Sequence, residues 1–167
     1  FAAANKKEHL KLALTLLYML PGQPLIYFGT ETCLSQPRSI HDKDSIGFDQ
    51  ARLPMNWHEI EAHQDIAELL RQLAALRERY PQLVAAQWKP LMVDNENETV
   101  LWQISMPEAN LYLALNRSES RRSLTVSHTN LPAGAQIFNE ITLQKVSMQT
   151  EQLWLPAESA FVFSIKG

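Results

Sequence analysis

The stretch PGQPLIYFGTE, Pro21 to Glu31, breaks a leucine-rich helical pattern and runs straight into an apolar segment that stops at Gly29. Upstream of it, Leu10, Ala13, Leu14, Leu17 and Tyr18 recur at helical spacing, while Leu12, Leu16 and Met19 make the opposite side apolar as well. A helix patterned in this way needs neighbours on more than one face. Pro21 cannot continue its hydrogen-bond ladder and Gly22 accepts left-handed backbone angles, so the helix is predicted to end there. Pro24 to Phe28 shows no polar alternation, the pattern of a short parallel strand covered on both faces. Such a strand requires flanking strands to satisfy its edges, and the residues around it do not supply them. The first half of the chain is therefore expected to be a piece of a larger α/β sheet or barrel.

Working outward, residues 32–57 read as a long polar connection, and loops of that length are usually functional or disordered. Ile66, Leu69, Leu70, Leu73 and Leu76 then share one face of a second helix, which Pro81 terminates. Beyond Leu83 the texture changes to short alternating runs, TVLWQI, NLYLALN, SLTVS and SAFVFSI, separated by turn formers. The pattern predicts an antiparallel β-sandwich over 83–167, preceded by an α/β portion over 1–82.

The 167 residues are 46% hydrophobic, which suits a folded chain. A net charge of -3, with both signs interspersed, leaves no basic stripe for a phosphate backbone, so nucleic acid is not an expected partner. Cys33 is the sole cysteine, which rules out an internal disulfide and a thiol zinc cluster. The segment KKEHLKLALTLLYMLPG imitates a leader peptide, but Lys11 interrupts it and no small-residue cleavage site follows. It is also shorter than the roughly 20 apolar residues that span a bilayer, so no membrane partner is expected and a cytoplasmic location is favoured over secretion.

In order along the chain, these segments resemble the C-terminal part of the α-amylase superfamily, glycoside hydrolase family thirteen. Pro21–Glu31 is similar to that family's P-G-x-P-x-x-Y-x-G-x-E segment on the eighth barrel strand. DQARLPMNW, Asp49 to Trp57, is similar to a downstream D-x-x-R-x-P-M-x-W segment, and LAALRERYPQL, Leu73 to Leu83, to the end of the eighth barrel helix. The resemblance covers the whole chain, with motif-level support as far as Leu83. It implies the last helix-strand-helix portion of a (β/α)8 barrel, followed by the family's β-sandwich domain. In such barrels the chemistry gathers at the C-terminal ends of the strands.

Four residues become candidate substrate-binding groups on that basis. Arg52 offers several guanidinium donors that can bridge sugar hydroxyls or hold carboxylates charged, and the resemblance sets it beside the subsite for the glucosyl unit being cleaved. Its alternative is a surface ion pair worth roughly 0–1 kcal/mol. Asp49 could orient it. Tyr27 has an apolar ring with a polar tip suited to a barrel rim. Glu31 is more often a loop-organising carboxylate than a sugar contact. Gly29 would let the backbone turn where a side chain would clash, and Pro54, Met55 and Trp57 are expected to pack the loop against the barrel.

Retaining hydrolysis needs two carboxyl groups about 5–5.5 Å apart. The family takes these and a third, stabilising aspartate from strands four, five and seven, all ahead of the eighth-strand motif. The chain is thus expected to start after the seventh strand, to hold no catalytic residue, and to be inactive alone. Its parent would be a retaining glycosidase or transglycosylase of α-glucans and maltodextrins. SIHD, Ser39 to Asp42, comes after Glu31 and matches the family's N-H-D segment only superficially; were catalytic carboxylates present after all, Asp42, Asp44 and Asp49 would be the clustered candidates. No metal ligand or cofactor is expected in the chain, although calcium is used by many relatives and the DKD run is too short to argue for a site.

The alternative is a non-enzymatic glucan-binding or assembly module, with Trp88, Trp102 or Trp154 stacking on sugars; such tryptophans more often fill a core or a domain seam. The two-faced helix at Leu10–Leu20 also suggests self-association through exposed apolar surface. HEIEAH, His58 to His63, does not match a zinc motif, because its histidines are five apart and on an ideal helix diverge by roughly 140°.

Overall fold

The computed structural model describes residues 6–36, 38, 52–125, 136–146 and 152–166. Helix α1 spans Lys7–Met19 and helix α2 Gln64–Arg79, with short 3-10 turns at Thr30–Thr32, Trp57–Glu59, Glu61–His63 and Pro81–Ala85. Among the described residues eight strands follow: β1 Gln87–Asp94, β2 Thr99–Ser105, β3 Asn110–Asn116, β4 Arg122–Thr125, β5 Gln136–Asn139, β6 Gln144–Val146, β7 Gln152–Leu155 and β8 Ser159–Lys166. Six form one sheet in the order β1-β2-β3-β8-β5-β6, and β4 pairs with β7 in a second. Every pairing is antiparallel.

The larger sheet is covered on both faces, and the two-residue period of its strands decides which side chain goes where. Leu111, Leu113 and Leu115 of β3 join Ile104 of β2 and Val162 of β8 in a cluster with Met19, Leu76, Leu83 and Ala86. The intervening residues Leu101, Ala114 and Phe163 face the small sheet and pack on Leu124, Leu153 and Leu155. Fully burying one such leucine or phenylalanine is worth roughly 1.5–3 kcal/mol. The first cluster takes residues from both sides of the boundary expected at 82/83, so the helices close one face of the sandwich.

Helix α1 finds the several neighbours its pattern demanded. Leu10, Leu14 and Tyr18 pack with Ile66 and Leu73 of α2, while Leu12, Leu16 and Met19 pack toward the sheet. Salt bridges from Lys7 and Lys11 to Asp65, at 3.1 and 2.7 Å, hold the N-terminal half of α1 to the start of α2.

The expected strand at Pro24–Phe28 belongs to no sheet; residues 23–27 carry no ladder. The reason is the one the sequence posed, since a strand needs partners and the described strands all begin at Gln87 or later. Burial still alternates there: Leu25 is 90% exposed, Ile26 turns in to the α1–α2 cluster, and Tyr27 is 56% exposed.

Candidate functional site

The residues singled out by the sequence lie around two consecutive turns. The first ends α1. Gly22 sits at φ +90°, the left-handed value that prompted the expectation of a glycine here, and its amide donates to the Val84 carbonyl at 2.9 Å. Arg77 of α2 donates from Nε to the Tyr18 carbonyl at 2.5 Å and from Nη1 to the Gly22 carbonyl at 3.0 Å, with Nη2 on the Leu20 carbonyl. One planar fork thereby satisfies carbonyls that a helix C-terminus leaves without intrahelical donors. Partial burial pulls the Arg77 pKa down from its ordinary value, against which the nearby Tyr18 hydroxyl acts.

The second turn is Tyr27–Leu34. Gly29 stands at φ +86°, and a Cβ there would lie 2.8 Å from Leu34 Cβ, as the sequence reading anticipated. The Gly29 carbonyl accepts from the Thr32 and Leu34 amides at 3.2 and 2.8 Å and from Thr32 Oγ1 at 3.1 Å. Thr32 is 2% exposed, so that hydroxyl is a structural part of the turn. It also lies 3.7 Å from Met55 Sδ, which brings the segment after Arg52 back onto the turn.

Of the four candidate binding residues, the structure describes three. Tyr27 is exposed, and its ring rests against Phe28 with centroids 4.5 Å apart. Glu31 occupies the middle of the 3-10 turn and is half-buried. Arg52 is exposed, three residues before Met55. Asp49 lies outside the described residues, as do Asp42, Asp44 and the SIHD segment. Of the residues expected to pack this loop against a barrel, Met55 meets Thr32 of the turn, while Pro54 and Trp57 are exposed, Trp57 to 68%.

Chemically the second turn carries the Glu31 carboxylate and the Tyr27 phenol beside exposed apolar side chains at Leu25 and Phe28, with the Met55 segment held against it. Such a set can hydrogen-bond hydroxyls and stack on a sugar ring. Among the described residues no three His, Cys, Asp or Glu side chains converge to hold a metal. His58 and His63 fall on separate 3-10 turns, and His63 Nε2 lies 3.8 Å from Glu59 Oε2. No helix among the described residues is long and apolar enough to cross a membrane.

The three tryptophans of the β half divide. Trp88 and Trp102 pack together against the core, ring centroids 5.4 Å apart, whereas Trp154 is 49% exposed with the Arg121 guanidinium 4.7 Å above its ring. Sequence reasoning missed Arg77 as a cap and Glu140 altogether. Glu140 is 2% exposed; its carboxylate accepts from Ser164 Oγ at 2.5 Å and lies 3.7 Å from Arg79 Nη2. The available signal for Arg77 was a basic residue in the last turn of α2, next to Leu76 and one turn from Leu73.

No family model matches the chain. The curated protein "Alpha-amylase 2" of Dictyoglomus thermophilum is 27% identical over 120 residues, 68% of this chain and 21% of that protein. An Anoxybacillus α-amylase superposes with a TM-score of 0.75 at 20% identity, over 95% of this chain and 32% of its own. The Geobacillus thermoleovorans α-amylase GTA, solved with acarbose, gives 0.70 at 21% identity over 98% and 34%. MutB, solved as a mutant with sucrose, gives 0.73 at 16% identity over 99% and 40%. The chain therefore spans about a fifth of the curated relative and about a third of the first two structures. It shares the fold of part of the α-amylase-type glycosidases, and the sequence likeness to an α-amylase runs in the same direction.

Proposed function

We propose that this chain serves as the C-terminal part of a retaining glycoside hydrolase or transglycosylase acting on α-glucans or maltodextrins, and that it is not catalytic by itself. The observation that supports this reading is the Tyr27–Leu34 turn: a glycine-enforced reversal that exposes Tyr27 and is bound through Thr32 to Met55, three residues beyond Arg52. In the longer enzyme the Arg52 guanidinium would donate to sugar hydroxyls or to a catalytic carboxylate, with Asp49 as its positioning residue. Glu31 would organise the turn. The proposal assigns no cofactor to these residues.

The same reading supplies an occupant for the apolar surface at Leu20, Leu25, Tyr27, Phe28 and Trp57, which are 40%, 90%, 56%, 45% and 68% exposed. Remaining parts of the longer protein would cover it, including the strands that Pro24–Phe28 needs. Self-association, in the isolated chain, would use this surface and not α1, whose two apolar faces are already packed.

The test is release of reducing ends from maltodextrin by the purified chain at high concentration with calcium present. The expected result is no release above a heat-treated control. Reproducible turnover would overturn the non-catalytic reading and turn attention to Asp42, Asp44 and Asp49. In the longer enzyme, Arg52→Ala should lower kcat/KM by about tenfold or more, the loss expected for a charged hydrogen bond to substrate.

A further inference from the structure

Helix α1 begins against its own dipole. Lys6 stands at the N-cap, where a lysine side chain has no acceptor to offer the first free amides. Lys7, His9 and Lys11 follow, and Glu8 is the one acid of the first turn. Cations there meet the positive end of the helix dipole, the unfavourable arrangement. The balancing carboxylates come from other elements. Asp65 of α2 takes Lys7 and Lys11. The sandwich supplies two more: Lys6 Nζ donates to Glu119 Oε1 at 2.7 Å and to Glu158 Oε1 at 3.0 Å, and His9 Nε2 lies 2.7 Å from that same Glu158 oxygen.

Glu158 occupies a strained position. It lies on the turn between β7 and β8 at φ +48°, in the left-handed region that suits glycine and not a glutamate. Its amide donates to the Ser118 carbonyl at 3.0 Å, which joins this turn to the one between β3 and β4 that carries Glu119. Buried Asn116 fastens both turns, through the Ser118 amide and the Ser120 and Pro156 carbonyls. The Glu158 side chain is 14% exposed, and its bonds with Lys6 and then His9 hold its carboxyl below the usual range, so it is ionised at neutral pH. A position that glycine would fill without strain is thus taken by a residue whose carboxylate reaches α1.

We propose that Glu158 is a latch, set on a hydrogen-bonded platform of two sandwich turns, that orders the first turns of α1. The other end of the helix is fixed independently, by Met19 in the core and by the Arg77 fork at Leu20 and Gly22. Release at Glu158 therefore frays α1 from its start, with the sheet intact and the Gly22 turn in place. The latch does not depend on which reaction the longer protein carries out.

Amide hydrogen exchange on the whole chain, unaltered and with Glu158→Gly or Glu158→Gln, tests the inference. Glycine relieves the left-handed backbone and removes the carboxylate; glutamine keeps the shape and removes the charge. The reporters are the amides of residues 10–12, the first of which donates to the Lys6 carbonyl. Their exchange should be about tenfold faster or more in Glu158→Gly, the size expected for losing a charged hydrogen bond, and less accelerated in Glu158→Gln, with the amides of β3 and β8 unchanged. If residues 10–12 of Glu158→Gly stay as protected as in the unaltered chain, the carboxylate orders nothing and the latch is overturned. Acceleration spread equally over β3 and β8 would also overturn it, because Glu158 would then serve the sheet and not the helix.

Discussion

Arg77 Nη1 lies 3.0 Å from the Gly22 carbonyl oxygen, so the end of α2 holds the turn that ends α1. The two residues are 55 apart in the chain and belong to two different sequence motifs. With Nε on Tyr18 and Nη2 on Leu20, the guanidinium does what no other side chain can in one plane.

Arg77→Lys keeps the charge but supplies one donor direction in place of a fork, leaving at least one partly buried carbonyl unpaired. The expected loss is about 1–3 kcal/mol, read as a lower urea midpoint at unchanged slope. Stability equal to that of the unaltered chain would mean water replaces the fork at no cost.

Gly22 and Gly29 form an internal control. Both have left-handed φ, +90° and +86°, but a Cβ at Gly22 meets nothing within 4 Å while one at Gly29 meets Leu34 at 2.8 Å. Gly22→Ala should cost roughly 1–2 kcal/mol from backbone strain alone. Gly29→Ala should cost clearly more, since Leu34 Cβ can move only with its backbone. Thermal melts of the two variants side by side check the order, and equal losses would remove the steric argument.

Asn116 ties the sandwich ends together. Its side chain is buried, Nδ2 donating to the Ser120 and Pro156 carbonyls at 2.8 and 2.7 Å and Oδ1 accepting from the Ser118 amide at 3.0 Å. Asn116→Asp preserves shape but sets a carboxylate oxygen against two carbonyl oxygens. A loss of about 3 kcal/mol or more is expected at pH 7. It should shrink at acid pH, where protonation restores one donor. A variant equally unstable at pH 4 and pH 7 would contradict that assignment.

How far the fold could be read in advance differed by residue. The period-two runs from Thr99 to Asn116 and from Ser159 to Lys166 locate three central strands because alternate residues enter two different cores. Helix α1 was legible as two-faced for the same reason. The Gly29 reversal followed from a glycine at the end of an apolar run. Glu140 was not legible, since a carboxylate in a turn normally faces water and only the return of Arg79 and Ser164 to the same spot makes burial tolerable. Nor was the stagger in the sheet, in which β3 lies along one edge of β8 at Ser159–Phe163 and β5 along the other at Phe163–Lys166. The Pro24–Phe28 strand was legible as a pattern, yet a pattern cannot supply the strands it needs.

The two ends of the pH range should report two different contacts. Hydrogen bonds from Lys11 and Lys7 hold the Asp65 pKa down from 3.8 to about 2. A carboxylate with a lowered folded-state pKa adds stability above its unfolded value and loses it as pH falls, here between about 4 and 2. Asp65 is well exposed, so the contribution is small and should fade with salt. Burial and the Glu140 charge push Tyr80 up from 10.0 to about 12. Raised in the folded state, it contributes stability that is fully present below pH 10 and lost as pH climbs from 10 to about 12. Urea midpoints measured from pH 2 to 12 should therefore flatten on the acid side in Asp65→Asn and on the alkaline side in Tyr80→Phe. If either variant reproduces the unaltered profile on its own limb, the contact assigned to that limb is not what makes stability depend on pH there.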